Sequence, residues 1–408
     1  MGLNEEALEL HKKYRGKIEI RSKITGIDRR LLALAYTPGV AEPCRRIAQH
    51  RELVYEYTNK WNFVAVVTDG TRVLGLGDIG PEAGLPVMEG KAMLFKAFGG
   101  VDAFPICLAT KDPEEIITTV KHIAPVFGGI NLEDITAPKC FYIEERLRRE
   151  LDIPVFHDDQ HGTAIVALAG LLNALRVVGK RKEEVRVVVN GAGAAGIAVA
   201  KLLLKEGFTD ITLCDRKGAL YDGRSDMNEA KKEIARATNK QKRSGTLKEI
   251  LPGADVFIGL SAPGVINVED VRKMADDAIV FAMANPIPEI LPEEAKRGGA
   301  RVVATGRSDF PNQVNNVLAF PGVFRGALDV RARQINEEMK VAAAYGIASL
   351  VKQPEEDHIL PDAFDKGICP EVASRVAEAA VKSGVARLKL SAEEVRRHTI
   401  ELLERALS

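Results

Sequence analysis

The feature that most constrains the fold of this chain is the stretch VRVVVNGAGAAGIAVAKLLL at positions 185–204. A valine-rich apolar run leads directly into Gly191, Gly193 and Gly196, spaced as GxGxxG, and an apolar helical pattern follows. This order predicts a buried strand, a tight turn and a helix, which together open a dinucleotide-binding fold. The glycines permit the turn and allow a pyrophosphate to approach the backbone amides closely.

The flanking pattern favours a dinucleotide site over a glycine-rich turn of some other α/β fold. The predicted cofactor-binding residues of the turn are Gly191, Ala192, Gly193, Ala194, Ala195 and Gly196. The next predicted strand ends at Asp215, about twenty residues on, where an acidic side chain binds the ribose hydroxyls. Asp215 favours NAD, because its charge repels a 2′-phosphate. Arg216 and Lys217 follow at once and either can accept that phosphate, so NADP stays open.

Apolar runs alternate with helical patterns along both halves of the chain, which predicts an α/β fold. Predicted strands include NFVAVVTDG, DAFPICLAT and IPVFH in the first half, and ADVFIGLS, AIVFAMANP and RVVATG in the second. We predict an N-terminal α/β catalytic and substrate domain (1–157) and a Rossmann-like, doubly wound NAD(P)-binding domain (158–385). A C-terminal helix (386–408) completes the chain.

Composition argues against several function classes. The 57 basic and 57 acidic residues leave no net charge, unlike a nucleic-acid-binding or anionic-membrane protein. The N-terminus has no apolar signal core, and no uncharged stretch of spanning length follows it. Five scattered cysteines without a CxxC pair are typical of a reducing compartment. We therefore expect a cytoplasmic protein with neither nucleic acid nor membrane as a partner.

One lysine lies where an apolar residue is expected. In EGKAMLFKAF (89–98), helical spacing places Lys91 in an apolar stripe with Met88 and Phe95, whereas Lys96 lies on the other side. A surface lysine whose stem lies along apolar groups is the ordinary explanation. If Lys91 instead points into a closed cleft, burial lowers its pKa, although a nearby carboxylate opposes this. A lysine near neutrality can take a proton from a substrate hydroxyl.

Two acidic pairs follow predicted strands: Glu133-Asp134 in NLEDI and Asp158-Asp159 in FHDDQHGTA. Taken alone, each pair is explained as a helix cap or as a favourable charge at a helix N-terminus. Together the pairs offer three or four hard oxygen ligands, which suit Mg²⁺ or Mn²⁺.

The second acidic segment also raises a zinc alternative, since His157 and His161 are four residues apart. However, His157 ends a predicted strand, while His161 lies in the following turn or helix, so the two need not share a face. Zinc is therefore the less favoured metal.

Tyr36 precedes the segment TPGVAEPCRRIAQH, in which Thr37 is predicted as a helix N-cap and Pro38 as the first helical residue. Held by that helix start, Tyr36 can deliver a proton to a substrate. The alternative is an apolar staple residue, because residues that precede an N-cap often pack on the helix.

These residues lie in segments that resemble the malic enzymes, and the shorter prokaryotic form most closely. The segments are YTPGVA (36–41), RVLGLGDIG (72–80), EGKAMLFKAF (89–98), NLEDI (131–135), FHDDQHGTA (156–164), NGAGAAG (190–196), FAMANP (281–286) and PNQVNNVLAFPG (311–322). The resemblance runs in this order from about residue 10 to residue 385. It implies oxidative decarboxylation of the small molecule L-malate to pyruvate and CO₂, with NAD or NADP and with Mg²⁺ or Mn²⁺.

The resemblance also implies catalytic roles. By it, Lys91 is the general base for the C2 hydroxyl of malate and Tyr36 is the acid that protonates the enolate at C3. Asp158 is implied as a carboxylate that tunes the lysine.

Further residues are implied in binding. The implied metal ligands are Glu133, Asp134 and Asp159. Arg72 is implied as the clamp for a malate carboxylate, which its planar bidentate fork fits. The implied substrate and nicotinamide contacts are Asn285 and either Asn315 or Asn316.

Alternatives stay open at this point. A malolactic or oxaloacetate-decarboxylating relative would differ in whether NAD(P)H accumulates, and a metal-free NAD-dependent dehydrogenase would keep its activity under chelation. A dinucleotide sensor without catalysis would leave Lys91 and the acidic pairs unexplained. Family analogy also suggests a homodimer, and it allows Tyr36 and Lys91 to come from different chains.

Overall fold

The computed structural model describes residues 2–407 of the chain, and the side chains of residues 2–406. Its first sheet has parallel strands in the order β2-β1-β3-β4. They are β1 (Phe63–Thr68), β2 (Asp102–Cys107), β3 (Gly129–Leu132) and β4 (Val155–His157). Leu132 pairs with His157, so Glu133 and Asp158 leave the sheet side by side at its carboxyl edge.

The second sheet has the strand order β10-β9-β8-β5-β6-β7. Its strands are β5 (Arg186–Asn190), β6 (Asp210–Asp215), β7 (Gly218–Ala219), β8 (Val256–Gly259), β9 (Ala278–Ala282) and β10 (Ala300–Thr305). The strand order reverses between β5 and β8, the position at which open α/β sheets bind ligands. The predicted doubly wound arrangement is confirmed. The antiparallel β7 was missed because two residues are too few to form a pattern.

Seventeen α-helices are described within residues 2–407. The first eight are α1 (Leu3–Tyr14), α2 (Arg29–Ala35), α3 (Ala41–Gln49), α4 (Val54–Tyr57), α5 (Pro81–Gly99), α6 (Pro113–Ile123), α7 (Lys139–Glu150) and α8 (Asp158–Val178). Those that follow are α9 (Ala194–Glu206), α10 (Glu229–Ala237), α11 (Leu247–Ile250), α12 (Val268–Arg272), α13 (Pro292–Arg297), α14 (Phe320–Asp329), α15 (Glu337–Leu350), α16 (Ile368–Lys382) and α17 (Ala392–Leu407). Short 3₁₀ turns occupy Arg51–Leu53, Asn59–Asn62, Ala124–Val126 and Asn316–Leu318.

The helix that carries Lys91 has clear start and stop signals. Pro81 occupies the first turn of α5, where a missing amide hydrogen is harmless, and Gly100 ends the helix in the left-handed region at φ 59°. The buried residues recur every three or four positions, at Gly84, Met88, Lys91, Ala92, Phe95 and Gly99. The predicted apolar stripe with a lysine inside it is therefore confirmed.

Aromatic side chains join the two halves of the chain. The ring of Phe95 in α5 lies 4.7 Å from that of Phe320 and 5.3 Å from that of Phe324, both in α14. Phe156 in β4 lies 5.7 Å from Phe324, and all three contacts are edge to face. The C-terminal α17 also packs on α5 and α16. The division into domains at residues 157 and 385 stays a prediction.

Helix α8 begins at the second acidic pair and enters the core between α9 and α15. It is long and apolar enough to cross a membrane, but 67% of its most apolar window is buried inside the protein. That burial is the property of a core helix, in which apolar residues occur on every side.

The predicted helix start at Thr37 and Pro38 is wrong. Helix α3 begins at Ala41, after a turn, and Tyr36 is the C-cap residue that follows α2. A Cβ atom on Gly39 would lie 2.6 Å from the backbone oxygen of Ala33, so the turn packs closely against α2. This contact between neighbouring elements overrides the local helix-start signal.

Candidate active site

Lys91 points into a closed cleft. Its side chain is 8% exposed, and Nζ lies 2.6 Å from Oδ2 of Asp158 and 3.0 Å from Oε1 of Glu133. The ammonium also lies 4.3 Å from the centre of the Phe320 ring. The surface interpretation of this lysine is therefore wrong.

The charge state of Lys91 differs from the expectation of a lysine near neutrality. Burial alone lowers its pKa, but the charges of Asp158 and Glu133 outweigh burial and raise the pKa above its usual value. In the protein alone, Lys91 is an ammonium held between two carboxylates. A cation bound at Glu133, Asp134 and Asp159 would instead lower the pKa of Lys91.

The carboxylates predicted as metal ligands lie together. One oxygen from each of Glu133, Asp134 and Asp159 lies within 4.8 Å of the others. Burial, and then the charge of Asp159, raises the pKa of Asp134 to about 7. Oδ2 of Asp134 is buried and has no hydrogen-bond partner among the described residues. Two buried acids and the half-buried Asp159, with an unpaired acceptor among them, form a set of hard oxygens that fits Mg²⁺ or Mn²⁺.

The carboxylate of Asp158 is fixed from several directions. Its Oδ2 accepts hydrogen bonds from Lys91 and from the side-chain amide of Asn316. A Cβ atom on Gly162, one turn further along α8, would collide with Oδ1 of Asp158. Glycine at this position therefore leaves the space into which the carboxylate folds.

The zinc alternative is not supported by the geometry. Nε2 of His161 lies 2.8 Å from Oε1 of Glu144, and its Nδ1 lies 3.0 Å from Nζ of Lys340. Both ring nitrogens are therefore engaged away from the acidic set. His157 is fully buried and its Nε2 lies 3.7 Å from Oδ2 of Asp159, beyond hydrogen-bonding distance, so the two histidines do not form a pair.

The glycine-rich turn has the geometry of a pyrophosphate site. Gly191 has φ 125°, and a Cβ atom there would lie 2.5 Å from the backbone oxygen of Leu260. A Cβ atom on Gly196 would collide with the backbone oxygen of Gly191. Gly193 precedes the first turn of α9, so the helix N-terminus faces the switch point of the sheet. The turn fits a dinucleotide, as its sequence predicts.

Asp215 ends β6 at the predicted ribose position, but it is not free. Its carboxylate pairs with Arg224 at 2.9 Å and with Lys231 at 2.6 Å. These partners, after the opposing effect of burial, hold its pKa below the usual range. Arg216 is exposed beside it. The two basic partners of Asp215 were not found from the sequence.

Arg72 lies between the acidic set and the dinucleotide turn. Its backbone amide donates to the oxygen of Asp134 at 3.0 Å, and its Nη1 would lie 3.7 Å from a Cβ atom on Gly193. Asn285 is exposed near this loop, with its backbone oxygen 3.4 Å from a Cβ atom placed on Gly75. Of the two candidate asparagines, Asn316 contacts Asp158, whereas the side chain of Asn315 caps the following turn.

Both halves of the chain match a known family of proteins. Residues 15–148 match the sequence profile of the malic enzyme N-terminal domain, and residues 160–382 match that of the malic enzyme NAD-binding domain. The chain belongs to the malic enzyme family. The resemblance inferred from the sequence is confirmed, and so is a nicotinamide dinucleotide as the class of cofactor.

Similar malic enzymes match nearly the whole chain. It is 60% identical over 405 residues to the bifunctional malic/malolactic enzyme of Bacillus subtilis (strain 168), covering 98% of this chain and 99% of that one. It is 61% identical over 374 residues to the NAD-dependent malic enzyme of Geobacillus stearothermophilus, covering 91% and 78%. The crystal structure of malic enzyme from Pyrococcus horikoshii Ot3 superposes with a TM-score of 0.95 at 54% identity, covering 99% and 96%.

A buried network beneath the malic enzyme site was missed from the sequence. Glu144 in α7 accepts hydrogen bonds from the backbone of His157, from Gln160 and from His161. An ammonium can only donate hydrogen bonds, so Lys340 donates to Nδ1 of His161. The imidazole proton therefore lies on Nε2, towards Glu144. The network fixes the turn that carries Asp158 and Asp159. The sequence feature that could have indicated this network is Glu144, a glutamate inside the apolar stripe of α7.

Tyr36 remains outside this cluster of the malic enzyme site. The residue is 67% exposed, and its hydroxyl has no hydrogen bond to any residue described between positions 2 and 406. Within one chain, the structure therefore does not bring Tyr36 together with Lys91, which is buried.

Proposed function

We propose that this protein catalyses the oxidative decarboxylation of L-malate to pyruvate and CO₂, with reduction of NAD(P). The observation that supports this most is the buried contact of Lys91 with Asp158 and Glu133, at the edge of the sheet where the acidic set meets the dinucleotide turn. A simple dehydrogenase needs no such acidic set, and a simple decarboxylase needs no dinucleotide.

Glu133, Asp134 and Asp159 would hold a divalent ion, and the turn at 191–196 would hold the dinucleotide. When bound, the dinucleotide accepts a hydride, and the ion, as a Lewis acid, withdraws electron density from the C2 oxygen of malate.

Lys91 accepts the proton of the C2 hydroxyl at Nζ, and Asp158 stabilises the resulting ammonium. Because the carboxylates raise its pKa, Lys91 must first lose a proton, and positive charge at the acidic set favours that loss. Arg72 binds a malate carboxylate through its guanidinium, and Asn316 holds Asp158 in place.

Tyr36 protonates C3 of the enolate, and we propose that it does so in the cleft of a second copy. Many apolar side chains of the first 36 residues are exposed, among them Leu3, Leu8, Leu10, Ile20, Ile27, Leu32 and Leu34. A contiguous segment of this kind is typical of a subunit interface. A homodimer would cover these side chains and bring Tyr36 near Lys91 of the other chain.

The cofactor and metal are proposed at a finer level as NAD and either Mg²⁺ or Mn²⁺, in a cytoplasmic enzyme. Asp215 supports NAD, because its charge opposes a 2′-phosphate. Arg224 and Lys231 neutralise part of that charge, so we expect only modest discrimination against NADP. Asn285 is proposed as a nicotinamide contact.

One assay tests this function. Malate is supplied with NAD or NADP and with Mn²⁺, and absorbance at 340 nm is followed with and without a chelator. We expect NAD(P)H and pyruvate to form in equal amounts and to stop forming when the metal is removed. Turnover that persists after exhaustive chelation would contradict the metal-dependent reaction.

A malolactic reaction is the second candidate, favoured by the 60% identity to a relative named bifunctional malic/malolactic enzyme. In this reaction malate gives lactate and CO₂ without net change in the dinucleotide, because pyruvate is reduced again before NADH leaves. Quantifying lactate, pyruvate and NADH from the same sample separates the two reactions.

A further inference from the structure

A cavity of about 690 Å³ lies at the end of the first sheet opposite to the acidic set. Lys60 and Ile153 line it and precede β1 and β4, whereas Glu133 and Asp158 follow β3 and β4. Strand β1 has six residues, which span roughly 20 Å. The cavity is therefore separate from the candidate active site.

The lining of this cavity is positively charged. Five basic and three acidic side chains face it. Lys121 is paired with Glu150 and Arg387 with Asp152, and Arg331 lies 3.9 Å from Glu56, outside the lining. Arg51 has no salt-bridge partner among the side chains described in residues 2–406. Basic groups therefore remain in excess after the local pairs are formed.

The pKa of Lys60 reflects this excess of positive charge. Its ammonium donates to three backbone oxygens in the segment 124–127, two of them at 2.9 and 3.0 Å, so its donors are already used. Burial, and then the charges of Arg51 and Arg387, lower its pKa to about 8. Lys60 is thus a fixed structural charge, and the nearby guanidinium groups are the groups available to a ligand.

The guanidinium groups are held in place before any ligand binds. Arg387 donates to the backbone oxygens of Arg331 at 2.9 Å and of Asp152 at 2.7 Å. The Arg331 guanidinium lies 5.0 Å from the centre of the Tyr55 ring, and Lys60 lies 5.6 Å from it. Because this ring already contacts two cations, it is not free to stack on a nucleobase. The cavity therefore favours a compact anion. The side chain of Asp152 is 78% exposed and can leave Arg387.

We propose that this cavity is a second binding site, for a small dianion that carries a phosphate group or two carboxylates. Arg51, Arg331 and Arg387 supply the charge, and guanidinium forks suit either kind of oxygen pair. These arginines come from the segment before β1 and from the C-terminal helical region, so the bound anion links these two parts of the chain. The proposal does not depend on the reaction catalysed at Lys91.

The test uses the full-length protein and isothermal titration calorimetry. Inorganic phosphate and succinate are titrated separately, with sodium chloride of equal ionic strength as the reference. We expect saturable binding of at least one anion, weakened about tenfold or more in Arg51→Ala and in Arg387→Ala. Binding of phosphate alone identifies a phosphorylated ligand, and binding of succinate alone identifies a dicarboxylate.

Two controls make the result decisive. Arg149→Ala removes an exposed arginine of α7 outside the cavity, and Arg72→Ala alters the candidate active site, so neither should weaken the binding that Arg51→Ala and Arg387→Ala weaken. The proposal is overturned if neither anion binds above the chloride reference. It is also overturned if both cavity variants keep full affinity, or if Arg72→Ala abolishes the binding.

Discussion

The Nζ atom of Lys91 lies 2.6 Å from Oδ2 of Asp158, with the two side chains 8% and 0% exposed. Glu133 approaches the same nitrogen at 3.0 Å. Buried ion pairs often stabilise a fold no better than well-packed apolar residues, so stability alone does not account for this arrangement. A buried lysine between acids in a cleft is instead typical of a site of proton transfer.

Replacing Lys91 by alanine should lower kcat by about a thousandfold or more, because the proposed base is removed. NAD(P) binding, measured by fluorescence titration, should change little. Lys96→Ala is the matched control, since Lys96 lies on the same helix with its side chain 52% exposed. A kcat within a few-fold of the wild type would assign the base to another group.

Asp159→Ala should abolish saturable Mn²⁺ binding, because it removes one of the three acids that share a site. Electron paramagnetic resonance of Mn²⁺ measures this without relying on turnover. Glu145→Ala, at an exposed acid of α7, should bind Mn²⁺ normally. An unaltered Mn²⁺ titration in Asp159→Ala would remove this residue from the ligand set.

Mixing two inactive variants tests whether Tyr36 acts in the neighbouring chain. If it does, a hybrid of Tyr36→Phe and Lys91→Ala contains one intact cleft, and random reassociation should restore about a quarter of wild-type activity. Turnover after unfolding and refolding of an equal mixture measures this, with each variant treated alone as the control. If both residues act within one chain, the mixture stays inactive.

Asp215→Ser should raise the ratio of kcat/KM for NADP to that for NAD by about tenfold, because a like charge near the 2′-phosphate is removed. Arg224 and Lys231 lose their acidic partner and become available to the phosphate. Asp222→Ser alters a nearby acid with its side chain 55% exposed and should leave the ratio unchanged. An equal ratio in Asp215→Ser and the wild type would argue that Asp215 does not govern cofactor choice.

Glu144 should make the protein sensitive to acid. Burial alone would raise its pKa, but His161 and Lys340 lower it from 4.5 to about 2. Its folded pKa lies below its unfolded value, so its stabilisation is present above pH 4.5 and is lost as pH falls towards 2.

Glu144→Gln should therefore cost about 3 kcal/mol at neutral pH. The free energy of unfolding of Glu144→Gln, measured with denaturant between pH 2 and 7, should depend less on pH than that of the wild type. Glu144→Gln should also weaken Mn²⁺ binding, because the turn that carries Asp159 loses its hydrogen bonds to Glu144. Glu145→Gln, its exposed neighbour, should change neither property. Parallel stability profiles of Glu144→Gln and the wild type would contradict this role.

The parts of the site that could be predicted from the sequence are those set by local periodicity. Helical spacing placed Lys91 on a buried face, and short apolar runs placed the two acidic pairs directly after strands. The pairing of β3 with β4, which brings Glu133 beside Asp158, came from the structure. The support of Glu144 by Lys340 depends on packing between α7, α8 and α15, which no local pattern encodes. The same holds for the turn after Tyr36, where packing against α2 replaced the predicted helix start.

Helix α8 starts at Asp158 and Asp159 and then packs along α9, whose first turn follows Gly193. The packing of α8 on α9 thus sets the spacing between the acidic end of the cleft and the glycine-rich end. Substitutions that alter the contact between α8 and α9 would shift one end relative to the other. Engineering of cofactor choice at the glycine-rich turn should therefore leave the contact between α8 and α9 unchanged, because a shift there would also alter reactivity at the acidic set.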